Sequence, residues 1–157
     1  MRNIVLLLLL LSVCRSLAQM RAAAALQAAS YFWEADSASR YQRLWKQQLY
    51  GPMLIVDPQS RITYANRQDS AALLKQVMPG VYKGVLPPEV MVANTAIRWQ
   101  NRLWSVILWP LPLNLNDRLS LILHKSFHRV QEALGLPKHS PTVDHLATMD
   151  GRIYFLL

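Results

Sequence analysis

The sequence predicts an α+β domain in which a small antiparallel sheet of hairpins packs on one amphipathic helix, with a helical segment ahead of it. Two patterns carry this. Residues 92–109 give two apolar arms around a polar Gln100-Asn101 turn, as a β-hairpin requires. Leu119, Ile122, Leu123, Phe127, Val130 and Leu134 then recur at helical spacing, which draws an apolar stripe along one face. With 157 residues, 52% hydrophobic and 17% charged, the chain can bury a core and does not belong to the disordered class.

The elements follow in order. Residues 1–18 read as a signal peptide. Met1-Arg2-Asn3 is a short basic stretch, Ile4 to Val13 is an almost unbroken apolar run, and Ser16-Leu17-Ala18 offers small residues for cleavage after Ala18, the layout of an export signal. The run is short for a permanent span, so the expectation is a secreted or periplasmic protein with no stable membrane span after cleavage; an uncleaved anchor is the alternative. Cys14 is the only cysteine. Val13 precedes it where lipidation requires a small residue. Cleavage removes it, which leaves no thiol chemistry and no disulfide in the mature chain.

Residues 19–50 form a helical segment. It opens on Ala22 to Ala25, and alanine is the best helix former. Leu26, Trp33, Leu44 and Trp45 can share an apolar stripe, Asp36-Ser37-Ala38-Ser39 is expected to break the helix in two, and Gly51-Pro52 ends it. Residues 51–157 make the α+β domain. Met53 to Val56 is a short strand, Asp57-Pro58-Gln59-Ser60 a turn, and Arg61 to Ala65 a second strand. Asp69 is expected to cap a short helix through Val77, closed by Pro79-Gly80. Val81 to Val85 is another strand, broken at Pro87-Pro88. After the 92–109 hairpin, Pro110 and Pro112 stop the chain, and Asn114 or Asn116 caps the long helix. Gly135 is its expected C′ residue, with Pro137 just beyond. Thr148 or Asp150 is expected to start a last helix, which stops in mid-run at Ile153-Tyr154-Phe155-Leu156-Leu157. An apolar end of this kind predicts a domain shortened relative to a longer relative.

The net charge is +8, and +6 without Arg2 and Arg15. The basic residues (Arg40, Arg43, Lys46, Arg61, Arg67, Lys75, Lys83, Arg98, Arg102) are scattered, so the reading is a solvated basic surface and no nucleic acid partner. Trp99, Trp104 and Trp109 can stack a sugar ring, but their strand spacing is that of core residues. No G-x-S-x-G turn and no phosphate-cradling glycine loop is present.

One constellation carries chemistry. His124-Lys125-Ser126-Phe127-His128 sets two imidazoles four residues apart on the long helix, so both project from one face about a turn apart. That spacing suits two ligands of one zinc ion, as in the H-E-x-x-H motif, where the Glu is general base to a metal-bound water. The bland reading is a pair of surface or groove-lining histidines, with His128 hydrogen-bonded to Gln131.

Leu123-His124-Lys125-Ser126-Phe127-His128-Arg129-Val130-Gln131, followed by Leu134-Gly135-Leu136-Pro137, resembles the motif helix of an uncharacterised exported bacterial family of zincin-like (HExxH-type) metallopeptidase relatives. That family's version reads approximately H-E-S-F-H-R-x-Q before a short L-G-L-P. The likeness extends back through Val92-Ala93-Asn94-Thr95-Ala96 and forward through Asp144-His145-Leu146 and Asp150-Gly151-Arg152, so it spans 50–157. It implies zinc held by His124 and His128, a third ligand from a following helix, and a peptide or protein substrate. Lys125 stands at the general-base position, where a cation can neither accept a proton nor favour a neighbouring dication. His139, His145, Asp144 and Asp150 are open alternatives for further ligands. The expectation is therefore an exported zincin-like pseudoenzyme with zinc weak or absent. The alternatives are a non-catalytic envelope binding module, using a basic or tryptophan-rich surface, and a nonfunctional gene fragment.

Overall fold

The computed structural model describes residues 2–40 and 46–136, together with position 149. Leu44, Trp45, His139, Asp144, His145 and Asp150, and the expected last helix, lie outside them. Helix α1 (Arg2–Arg40) is followed by β1 (Met53–Val56), β2 (Ile62–Ala65), β3 (Lys75–Met78), β4 (Val81–Val85), β5 (Thr95–Trp99) and β6 (Arg102–Leu108). Helix α2 (Leu115–Val130) and a short 3₁₀ turn (Glu132–Leu134) close the described chain. The architecture is α+β, with α1 ahead of the sheet.

The six strands form one sheet in the order β3-β4-β2-β1-β6-β5. The sheet is mixed. Its hairpins are antiparallel, but β1 pairs with β6 in parallel, Leu54 opposite Val106 and Ile55 opposite Ile107. All four β1 residues are fully buried, as a strand covered on both faces must be. Met53, Ile55, Tyr64, Val81 and Ile107 meet Ala25, Ala28, Tyr31, Phe32 and Ala35 of α1 and Ile122 of α2. On the other face Leu54, Val56, Trp104 and Val106 are covered by Leu74, Leu86 and Trp99. Helices therefore cover one face, and loops with the β5–β6 tip cover the other.

Local chemistry sets the boundaries. Asp57 Oδ1 accepts from the backbone N–H groups of Gln59 and Ser60 at 2.8 and 3.2 Å, which closes the β1–β2 turn. Gln100 and Asn101 both have positive φ, 49° and 59°, the two-residue geometry that matches strand twist. Asn114 caps α2 by accepting from Asn116 N–H and Asp117 N–H. Gly135, at φ 71°, ends the 3₁₀ turn in the left-handed region.

Three expectations are corrected. First, α1 is not broken at residues 36–39: Asp36 pairs with Arg40 one turn on, and the helix runs through Ser39, whose hydroxyl is buried without a hydrogen-bond partner. Second, Leu26 and Trp33 point outward, 60% and 70% exposed. The buried row is Ala25, Ala28, Phe32 and Ala35, whose small members let α1 lie close to the sheet. Third, residues 69–77 are not helical. The Asp69 carboxylate does capture the N–H groups of Leu73 and Leu74, at 2.9 and 2.7 Å, but Ala72 turns left-handed at φ 53°. Leu74 then enters the core, and Lys75 onward pairs with β4. Gly84 permits this crossing, because a Cβ there would stand 2.7 Å from Leu74 Cδ2 and 2.9 Å from the Leu73 carbonyl oxygen.

The two helices are joined by a forked ion pair. Arg118 Nε and Nη2 donate to Glu34 at 2.7 and 3.0 Å, while Nη1 donates to the carbonyls of Pro112 and Leu113 at 2.8 Å each. The guanidinium also stands 5.3 Å from the Tyr31 ring centre. Glu34 holds the Arg118 pKa above its usual value, chiefly through this hydrogen bond. Glu34→Ala is expected to lower unfolding free energy by about 2 kcal/mol, since it leaves a largely enclosed cation without its counter-charge. Asp36→Ala, which removes a pair whose arginine is exposed, is expected to change it by less than about 0.5 kcal/mol. Urea unfolding of the two variants checks this; equal losses would count against the forked pair as the link between the helices.

Candidate metal centre

Ile122, Ser126 and Val130 form the buried row of α2. His124 and His128 each sit two residues beyond a member of that row. At 3.6 residues per turn this is about 200° around the helix, so the pair faces away from the deepest packing. His124 is exposed and His128 half-buried. Their ring centres lie 4.6 Å apart with planes at 44°, so the imidazoles stand together, as the spacing predicts.

His128 Nδ1 is 2.8 Å from Gln131 Oε1. An amide oxygen only accepts, so in this contact Nδ1 is the donor and Nε2 is the nitrogen left for another partner. Side-chain partners of this kind fix the tautomer of metal-binding histidines. His128 and Gln131 border a cavity of about 160 Å³ with Thr95, Ala96 and Leu103 of the β5–β6 hairpin. His124 does not line it.

The His124 pKa is lowered, first by burial of its ring, which lies against that of His128, and then by the positive charges of Lys125 and His128. Lys125 thus stands near enough to His124 to act on it electrostatically. Among the described residues, no three His, Cys, Asp or Glu side chains come together as a metal-binding group. The donor set on hand is two imidazoles, one with its tautomer fixed. Two donors fall short of the three or four ligands of a stable zinc site.

Arg129 is structural. Its Nη2 donates to the carbonyls of Gln48 and Leu49 at 3.1 and 3.0 Å, fastening the last turn of α2 to the segment before β1. Burial, and then the charge of Arg67, lowers its pKa. The guanidinium lies over Gly51, where a Cβ would stand 2.4 Å from its carbon. Phe127 is half-buried, Trp99 and Trp104 are interior and serve the core, and Trp109 is half-buried. The pairings Glu34–Arg118 and Gly51–Arg129 are invisible in the sequence, where roughly eighty positions separate the partners.

Two measurements check this geometry. Gly51→Ala is expected to expel the Arg129 guanidinium and lower stability by about 2 kcal/mol, the scale of hydrogen bonds to a charged group; a melting temperature unchanged from wild type would contradict the contact. For His124, a folded-state pKa below the unfolded one means that protonation favours unfolding. Its contribution is complete above about pH 6.5 and is lost as pH falls through the folded value. In an NMR titration, the His124 midpoint should lie below the ordinary histidine value and move up in Lys125→Gln. A midpoint indifferent to that substitution would separate Lys125 from the site.

No family model, no curated protein and no solved structure matches this chain.

Proposed function

We propose that this chain is an exported, catalytically inactive relative of the zincin metallopeptidases, retaining a two-imidazole site for a divalent ion at His124 and His128. The observation that carries the reading is the pairing of the two rings, 4.6 Å between centres, with the His128 tautomer set by Gln131. Both nitrogens that face a metal must be unprotonated, and the lowered His124 pKa favours that state at neutral pH. A zinc ion held there would supply Lewis acidity. No base accompanies it: Lys125, at the acid's position, is a cation, so water activation has no acceptor for its proton. The half-open setting of His124 and the two-donor set also favour reversible binding over a closed catalytic centre.

Export is part of the same reading. Among the described residues, the α1 side chains that meet the core run from Ala24 to Ala35, all downstream of the expected cleavage after Ala18, and these contacts would remain once residues 1–18 are removed. Among the described residues, no helix is long and apolar enough to cross a membrane.

Calorimetric titration of zinc into the purified chain tests the proposal. The expected result is one site of micromolar affinity, lost in His124→Ala and in His128→Ala. Lys125→Glu should tighten binding at least about tenfold, or 1.4 kcal/mol, by exchanging a repelled cation for an acid beside the ion. Hydrolysis of peptide substrates should stay at background in both wild type and Lys125→Glu. Absence of zinc uptake would sink the metal reading, and equal affinities for wild type and Lys125→Glu would detach residue 125 from the ion.

A further inference from the structure

At the opposite end of the sheet from the histidines, α1 stands away from the β3–β4 edge and leaves a groove of about 630 Å³. Ala22, Ala25, Ile62, Val77, Lys83, Gly84 and Val85 line it. That volume lies within the range of small-molecule sites. The groove has a simple origin. Its helical wall is Ala22 and Ala25, whose methyl groups fill little of the space beside Ile62 and Val85. The β3 strand slips register between Gln76 and Met78, leaving Val77 unpaired, and Val77 lines the groove together with Val85. Both valines are strongly exposed, 48% and 60%.

Two ammonium groups accompany this apolar trough. Lys75 and Lys83 sit directly opposite each other on neighbouring strands and so project from the same face. Lys83 lies 5.3 Å from the Tyr64 ring centre, which places that face beneath α1. Like charges directly opposite one another destabilise a sheet, and neither lysine pairs with a carboxylate among the described residues. The two cations on this face are available to an anion.

We propose that this groove binds a long-chain carboxylate, with the acyl chain along Ala22, Ile62, Val77 and Val85 and the carboxylate between Lys83 and Lys75. Charge complementarity selects the head group, and the uninterrupted apolar lining selects the tail. The site is separate from the imidazole pair and does not depend on metal.

Isothermal titration of the full chain with sodium laurate, below its micelle-forming concentration, tests this. Laurate should bind once per chain with micromolar affinity, tightening about threefold for each methylene added to the acid. Acetate should show no binding, and dodecanol should bind at least about tenfold more weakly than laurate. Lys83→Gln should weaken laurate about tenfold, and Lys75→Gln should weaken it too. Ala22→Phe should abolish binding by filling the trough. Because Ala22 is exposed, that variant should keep the wild-type melting temperature. The proposal is overturned if laurate does not bind, if Lys83→Gln or Ala22→Phe binds it as wild type does, or if dodecanol matches laurate. It is equally overturned if only phosphatidylglycerol vesicles are bound, or if the groove is closed by a second copy in a dimer that Ala22→Phe dissociates.

Discussion

The parallel seam between β1 and β6 organises everything else in this molecule. It joins two antiparallel units: β1-β2-β4-β3, in which β4 comes between β2 and β3, and the β5–β6 hairpin. A parallel pair needs a crossover and cover on both faces. The cover comes from two helices on one face and from Leu74, Leu86 and Trp99 on the other. Because β1 has no exposed residue, shifting its register by one position would exchange the two faces outright. The seam therefore fixes which side of every neighbouring strand is apolar, and with it where α1 and α2 must lie.

The positive charge of the chain looks different once the arginines are followed. Arg61 donates to the carbonyls of Leu86, Pro87 and Val90, Arg118 to those of Pro112 and Leu113, and Arg129 to those of Gln48 and Leu49. In each case a planar fork gathers the carbonyl oxygens of a loop, which would otherwise be partly desolvated without donors. The loops that cover the sheet are thus tied by side chains from the strands and from α2. A fraction of the net +8 charge is spent internally, and the surface is less basic than composition suggests.

What could be read in the sequence was what short-range chemistry decides. The hairpin around Gln100-Asn101, the Asp57 turn and the Asn114 cap each depend on residues within a few positions of one another, and each is found; Gly135 does stop the chain in the left-handed region, but after a 3₁₀ turn rather than at the end of α2, which stops at Val130. Residues 69–77 misled because Asp69 performs half of a capping function, while the left-handed Ala72 leaves no local signature. The α1 face misled because two stripes competed. Large Leu26 and Trp33 argue for one, yet close approach to the sheet selects the alanine row. The β1–β6 seam joins residues some fifty positions apart and has no local trace. At the histidines, spacing gave their proximity, while their place away from the buried row of Ile122, Ser126 and Val130 came from the structure. The hairpin residues that border His128 came only with tertiary structure.

The helix-covered face has two weak points in its cover, and they differ in kind. At the end of α2 the side chains are long enough to reach the hairpin, and the space left beside His128 is small, about 160 Å³, with one imidazole at its rim. Along α1 the space left is about four times as large, with largely aliphatic walls and the Lys83 ammonium among them. Since α1 and α2 meet through the Glu34–Arg118 fork, loosening that contact would disturb both cavities together. Substitutions at Lys125 or Lys83 would each disturb one alone, because neither side chain takes part in joining the helices.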